Sequence, residues 1–592
     1  MPIEKRWVVK PQGDRQAVEA LSSSLQMSPV LTNLLVQRGI DTVEKARKFF
    51  SPSLRDLHDP FLMKDMDKAV ERIEKAVNEE ETVMIYGDYD VDGTTAVALV
   101  YKFLSQIGHK NLLFYIPDRY VDGYGISIRS IDHAVRKGVK LVIALDCGIK
   151  AVEKVAYAKE KGVDFIICDH HLAAEEIPQA VAVLDPKRTD CTYPFDELSG
   201  CGVGFKLVEA YARRNNIPFS EIEHLLDLLV VSIASDIVPL VDENRILAHY
   251  GLRKLNTQPS KGLLSIIKIC GLEGHNITID DIVFKIGPRI NAAGRMRMDE
   301  DDENAAPSGG HAAVSLLIEG NEKEAEKFGE VIDSFNQDRK SIDRNVTQEA
   351  HDYVESNPEL KAKKSTVIYN PKWMKGIVGI VASRLIETYY RPTVVMTMSN
   401  GFATGSARSV PGFDLSQAVE SCADLLENFG GHMYAAGLTM KPENVEEFTR
   451  RFNAYVEEHI KPEMLIPQVE IDAELQFSEI TPDFRRKLNE FQPFGPGNPS
   501  PVFITNGISG NNARLVGAEC EHLRMDLMQH SKHNNKLHSL QAIAFQQPTH
   551  FEWIRSGRSV DVCYTIVENH YRGTVSTQLR VKDIRRCPNN HK

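Results

Sequence analysis

The residues with the most evident chemistry are three aspartates alternating through one short run, Gly87-Asp88-Tyr89-Asp90-Val91-Asp92-Gly93. Further along come Asp146 in Asp-Cys-Gly, the run Asp169-His170-His171, and Asp236 after Leu-Leu-Val-Val-Ser-Ile-Ala-Ser. A lone aspartate at a strand end serves as a helix cap. A whole set of acids and histidines on one rim repels unless cations neutralise it. Side chains at i, i+2 and i+4 of a tight loop can point toward one centre, and Asp146, from another segment, could bridge two ions. Mixed carboxylate and imidazole ligands favour manganese or a related divalent ion over calcium. Two such ions about 3.5–4 Å apart suit phosphoryl chemistry: they generate hydroxide and neutralise charge in the transition state. The first loop also matches the opening of a calcium-binding EF-hand. Its twelfth position, which should be glutamate, is Leu99, and the residues before it read as strand rather than helix.

The elements that must carry these groups are legible as apolar runs. Thr82–Gly87, Leu112–Ile116, Leu141–Leu145 and Asp164–Cys168 read as strands, with helical spacing over Thr94–Ile107 and Ile149–Lys161. Near-continuous apolar strands separated by helices predict an α/β fold with a doubly wound parallel sheet. Such sheets place their sites at the carboxyl ends of strands, where the acids fall. Glu319–Asn357 reads as a long connecting helix, and 299–311 as an acidic, then Gly/Pro/Ser-rich loop. A second α/β unit follows over 365–461, with strands at Thr366–Tyr369 and Thr393–Met398. After Pro462 alternating, turn-separated segments predict a small β-barrel.

A chain of 592 residues exceeds one core and predicts roughly three or four domains. Nine scattered cysteines without C-x-x-C spacing give neither a disulfide framework nor a thiolate zinc site. No apolar run approaches the roughly 18–20 residues that span a bilayer, and the start lacks a secretory apolar core. We therefore expect no membrane partner and a cytoplasmic location. A net charge of −12 speaks against broad nucleic-acid affinity, so any basic groove is local. Arg572, Arg580, Lys582, Arg585, Arg586 and Lys592, against the single acid Asp583, form either such a groove or a solvated tail.

The order D-x-D-x-D-G, D-C-G, D-H-H, then an aspartate before Val-Pro, resembles the DHH phosphoesterase superfamily. YGDYDVDGTT (86–95), GPRINAAGR (287–295), GSARS (405–409), GGHMYAAG (430–437) and PFGPGNPSPVF (493–503) narrow the resemblance to its RecJ exonuclease family, over nearly the whole chain. The resemblance implies metal ligation by Asp90, Asp92, Asp146, His170 and Asp236, with Asp88 a further ligand or a support for one. It implies that His171 contacts a substrate phosphate or supports the site, and that Asp169 orients a histidine. Many superfamily members have histidine where Tyr86 stands, which leaves the first metal's ligands open; Asp88 could fill the gap. In GGHMYAAG, a Gly-Gly turn at Gly431 would let backbone approach a phosphate and His432 donate to it; the plain alternative is a tight turn with a packed histidine. Ser406 and Arg408 resemble the family's pocket for a terminal 5′-phosphate, with Arg289 or Arg295 as third member and Asn291 beside them. Arginine's planar fork suits phosphate, although each arginine alone could be a structural ion pair.

The resemblance implies an N-terminal segment packing on the catalytic lobe (1–64), a DHH catalytic domain (65–317), a connecting helix (318–358), a DHH-associated substrate-binding domain (359–461) and an OB-fold barrel (462–592). The barrel would bind single strands on aromatics such as Phe545, Phe551, Trp553 and Tyr571. The expected activity is 5′→3′ digestion of single-stranded DNA to 5′-mononucleotides with two Mn2+ or Mg2+ ions, the connecting helix closing the channel against duplex. A helicase and single-strand-binding protein are the partners implied, in recombination and repair, and the chain is expected to be a monomer. The alternatives are a phosphodiesterase for short oligonucleotides or cyclic dinucleotides, and a non-catalytic DNA-binding scaffold.

Overall fold

Five short apolar runs form one parallel sheet in the computed structural model of the protein, which describes residues 4–296, 309–531, 536–571 and 574–587. They are Val83–Gly87 (β1), Leu112–Tyr115 (β2), Leu141–Leu145 (β3), Asp164–Cys168 (β4) and Ala182–Leu184 (β5), in the order β2-β1-β3-β4-β5. Val83, Ile85, Leu141 and Ile143 face one core, shared with the helices Val91–Gln106 (α1), Gly200–Arg214 (α2) and Leu226–Ser235 (α3). Met84, Tyr86, Val142 and Ala144 face the other. Apolar residues are needed on both faces, which is why these strands read as unbroken apolar runs. β5, only three residues long, carries too little pattern to read from sequence. The apolar run before Asp236 is the helix α3, so this acid arrives from a helix C-terminus.

The register sets the acids in a row. Gly87 pairs with Leu145, Leu145 with Cys168, and Cys168 with Leu184. The next residue on each strand is an aspartate: Asp88, Asp146, Asp169 and Asp185.

Gly287–Ala293 (α4) precedes the 35-residue connecting helix Glu322–Ser356 (α5). Asn321 caps α5, accepting from the backbone N–H groups of Lys323 and Glu324. Ala325, Gly329, Ile332, Asn336, Asp343, Val346, Ala350 and Val354 form its buried stripe, at the three- and four-residue spacing of an amphipathic helix. The next domain holds a mixed sheet of Thr366–Tyr369 (β6), Thr393–Ser399 (β7), Phe402–Arg408 (β8), Leu426–His432 (β9) and Ala435–Met440 (β10), in the order β9-β10-β8-β7-β6, with Val378–Tyr389 (α6) following β6. Only β6 and β7 pair in parallel.

Residues 1–52 and 466–592 form a separate unit from 53–465. Arg6–Val9 pairs in parallel with Gln468–Ile471. Leu21, Leu31, Leu34 and Phe49 share a core with Phe503, Leu523, Leu527 and Tyr564 of the barrel. The expectation that the N-terminal segment packs on the catalytic lobe is therefore corrected: through residue 52 its apolar face belongs with the barrel. The barrel strands are Phe503–Val516 (β11), His522–His530 (β12), Leu537–Ala544 (β13), Val560–Tyr571 (β14) and Thr574–Arg586 (β15). They run β11-β12-β13-β15-β14 and close through a β14–β11 pairing, with a short helix, Phe551–Arg555, between β13 and β14. This is the OB arrangement expected.

The basic group near the end is strand rather than tail: Arg580, Lys582, Arg585 and Arg586 lie in β15. Arg572, Lys592 and most of the acidic loop, 299–308, lie outside the described residues, as does the side chain of Tyr571. His311 is in the helix Gly309–Ile318.

Candidate active site

The turn from β1 into α1 is wound so closely that a Cβ on Gly93 would lie 2.4 Å from the backbone oxygen of Asp88. Asp90 caps α1, its Oδ1 accepting from the Gly93 N–H at 3.0 Å. Asp92, two residues on in the first turn, is buried. Its carboxylate accepts from the backbone of Gly200 (2.6 Å) and Cys201 (2.8 Å) at the start of α2, and from Ser232 Oγ (2.7 Å) on α3. Asp146 has a φ of +59°, a conformation costing an L-residue about 1–3 kcal/mol. A Cβ on Gly200 would sit 2.5 Å from Cβ of Asp146, so the close approach of α2 to this aspartate requires glycine.

His170 is oriented by the carbonyl of Leu198, 3.0 Å from its Nδ1. Its Nε2 is thereby aimed among Asp146 (3.2 Å), Asp92 (3.7 Å) and Asp236 (3.7 Å). Asp169 turns away from this centre. It accepts from the backbone of Ile149 (2.9 Å) and His170 (2.8 Å), and from Nδ1 of His171 at 2.7 Å. Asp88, Asp90 and Asp146 can bring one ligand atom each within 4.8 Å of one another, as can Asp92, His170 and Asp236, and Asp146, His170 and His171.

The electrostatics are those of a cation site. Asp88 is buried with Oδ1 lacking any hydrogen-bond partner; burial first, then the charge of Asp90, pushes its pKa up to about 8. Burial and mutual repulsion likewise raise Asp92, Asp146 and Asp236. Burial lowers His170, leaving the neutral imidazole that ligates metals. Asp169 behaves oppositely: burial opposes its ionisation, but the hydrogen bond and charge of His171 bring it down to about 2. An orphaned buried carboxylate oxygen, clustered acids and a neutral imidazole on one rim fit divalent cations.

The second motif set converges elsewhere in the same unit. Arg408 donates to Ser406 Oγ at 2.7 Å and makes no ion pair among the described residues. A Cβ on Gly379, in the first turn of α6, would lie 3.1 Å from Ser406 Oγ and 3.2 Å from an Arg408 nitrogen. Arg295 donates to the Gly376 carbonyl, just before α6, at 3.0 Å. Burial, then the charges of Arg119 and Arg339, lowers the Arg295 pKa to about 10. Arg289 points to a different task, donating to Asp333 at 2.9 Å and to the Lys285 carbonyl. Asn291 accepts from the Val91 N–H at 3.2 Å and so braces the aspartate loop. Gly430 and Gly431 are not the expected turn; they lie in the edge strand β9 with His432 at its end, all exposed.

Three stretches match known families: residues 82–233 the DHH family, N-terminal domain; 363–458 the DHHA1 domain; and 471–583 the RecJ OB domain. The single-stranded-DNA-specific exonuclease RecJ of Bacillus subtilis (strain 168) is 36% identical over 580 residues, covering 98% of this chain and 70% of that protein. The chain belongs to the RecJ family. RecJ of Escherichia coli (strain K12) is 30% identical, with 96% and 98% covered. The fold matches the crystal structure of RecJ in complex with Mn2+ from Thermus thermophilus, with a TM-score of 0.81, 24% identity, and 98% of this chain and 79% of that one covered.

Within this RecJ-family chain, Tyr86 faces away from the acids. Its hydroxyl donates to the Gly125 carbonyl at 2.7 Å and its ring stacks on Tyr115. Three contributors went unread in the sequence. Arg119 lies with its guanidinium 3.9 Å above the Tyr89 ring and donates to the Gly294 carbonyl. Tyr124 places its hydroxyl 3.3 Å from Nε2 of His171. Ser232 holds Asp92. The signal for the first two was the position of their loop, directly after β2 on the site's rim, rather than any acidic pattern.

Proposed function

We propose that the protein is a 5′→3′ exonuclease that degrades single-stranded DNA to 5′-mononucleotides using two divalent cations, Mn2+ or Mg2+. The observation that carries this reading is the convergence of Asp88, Asp90 and Asp146 beside Asp92, His170 and Asp236, with Asp146 Oδ1 only 3.2 Å from His170 Nε2. Asp90, Asp92, Asp146, His170 and Asp236 are the ligands, and Asp88 takes the place left by Tyr86. When bound, the cations activate water and neutralise charge building on the phosphate. Leu198 and Asp169 hold the two histidines in their working orientations, and His171 faces the scissile phosphate.

Polarity comes from the 5′ end. Ser406, Arg408, Arg295 and the N-terminal turn of α6 form a cationic pocket for a terminal phosphate. Arg289 supports the structure through Asp333, and Asn291 braces the loop instead of touching substrate. His432 and the exposed Gly431 backbone contact the strand near the scissile linkage. The barrel holds the rest of the strand. On its outer face Arg514 pairs in register with Arg524, Arg524 with Ile543, and Ile543 with Arg580. Arg580 also lies over Phe545, which is exposed. Like charges directly opposite across strands are unfavourable by themselves, so this row suits a polyanion. The setting is cytoplasmic recombination and repair, with a monomer acting beside a helicase and single-strand-binding protein. No helix among the described residues is long and apolar enough to cross a membrane.

The test is digestion of end-labelled single- and double-stranded oligonucleotides by the wild type and Asp146→Ala with Mn2+. Mononucleotides should leave the 5′ end of single strands only, and the variant should be inactive. Release from the 3′ end, or equal attack on blunt duplex, would refute the reading.

A further inference from the structure

His171 is held on one side and open on the other. Its Nδ1 is committed to Asp169 at 2.7 Å, so Nε2 faces the site, where the Tyr124 hydroxyl meets it at 3.3 Å. The Tyr124 hydroxyl can donate to a phosphate oxygen, and in the substrate-free protein it engages His171 instead. We propose that Tyr124 is a catalytic residue whose hydroxyl leaves His171 on substrate binding and donates to a non-bridging oxygen of the scissile phosphate. This rests on the exonuclease reading above.

The surroundings of Tyr124 fit that movement. The residue is about 55% exposed and reaches the site from the rim, with its hydroxyl at His171. A phenol keeps its proton at neutral pH, so the hydroxyl serves as a donor. Tyr124 stands between Gly123 and Gly125, at φ of +82° and +71°, and no atom lies within 4 Å of a Cβ placed on Gly123. The loop is anchored on either side of this point. Asp118 Oδ1 accepts from the backbone of Tyr120 and Val121, and the Gly125 carbonyl accepts from Tyr86. Freedom is thus confined to the segment bearing the tyrosine.

Its position also matches the path of a strand. The Tyr124 ring meets His171 edge-on at 6.2 Å and Tyr89 at 6.3 Å, and Tyr89 carries the Arg119 guanidinium. Arg119 in turn neighbours Arg295. A continuous file of side chains therefore runs from the acid cluster to the arginine cluster. A terminal phosphate among the arginines would direct the first internucleotide linkage along this file toward Tyr124 and the acids.

The experiment compares the wild type with Tyr124→Phe on 5′-phosphorylated single strands in Mn2+, using substrates whose terminal linkage carries sulfur in either of its two stereochemical positions. Losing one hydrogen bond to a charged oxygen should lower kcat about tenfold and leave KM unchanged. Sulfur accepts hydrogen bonds poorly, so its penalty at one of the two positions should shrink in the variant. That ratio is read within one protein preparation and is insensitive to a partly unfolded fraction. An unchanged kcat, a change in KM alone, or equal sulfur penalties in both proteins would overturn the role of Tyr124. Failure of the wild type to digest the unmodified strand would instead overturn the reading on which it rests.

Discussion

Asp343 takes both arms of Arg384: Oδ1 accepts from Nε at 2.9 Å and Oδ2 from a terminal nitrogen at 2.7 Å. The pair ties α5 to α6, and thus the connecting helix to the domain that supplies Ser406 and Arg408. Asp343 is fully buried, whereas Arg384 is half exposed, so the loss on breaking the pair falls below that of a wholly buried one. Asp343→Ala should cost about 2–3 kcal/mol, measured by urea unfolding. Arg384→Lys should cost less while keeping the charge. A midpoint unchanged in Asp343→Ala would show that the helix is held by apolar packing alone.

Ser232 touches no substrate position, yet it fixes Asp92 Oδ1 at 2.7 Å. Ser232→Ala should weaken Mn2+ binding about 10–100-fold, read by calorimetry, with activity recovering at high Mn2+. Loss of activity that no Mn2+ concentration restores would contradict this.

Stability should depend on pH in opposite senses with and without metal. In the ion-free protein Asp88 has its pKa raised from 3.8 to about 8, and Asp92, Asp146 and Asp236 move the same way. The folded state then binds more protons than the unfolded state between those values, so stability falls as pH rises through that window. Cations reverse the trend, because they bind the ionised acids and release protons. Melting in EDTA should therefore drop between roughly pH 5 and 8, while the Mn2+-loaded protein holds steady or gains. Parallel curves would mean that the acids are not the ligands.

Arg524 makes no ion pair among the described residues and faces Arg514 across the sheet. Arg524→Ala should weaken binding of long single strands and reduce the slope of log K against log salt by about 0.7, one phosphate contact. Digestion of very short oligonucleotides should be unaffected. An unaltered slope would remove this face from the binding path.

Much of the catalytic domain was readable because one physical fact fixed several observations together. Strands buried on both faces must be apolar throughout, so the residue that ends the run marks the strand's carboxyl end; Asp88, Asp146 and Asp169 announced themselves in this way. Asp185, after the three-residue β5, did not, although it occupies the same row. Arg119 and Tyr124 were illegible because loop residues carry no periodicity, and their importance lies in what a neighbouring strand brings near. The glycines of GGHMYAAG suggested a turn, but an exposed edge strand tolerates glycine as well. Pairing of Trp7 with Val469 depends on a contact between distant parts of the chain, which no local pattern encodes.

That pairing shapes how the molecule comes into being. During synthesis the helices bearing Leu21, Leu31, Leu34 and Phe49 emerge early, while the barrel strands that cover them are made only after the entire nuclease unit. Until then a greasy surface waits without a mate, the sort of intermediate that chaperones shield. The same arrangement constrains engineering: trimming the barrel away to isolate the nuclease strands this surface permanently. A clean excision should begin near Ser53 and end near Leu465, removing both ends of the polypeptide in one step.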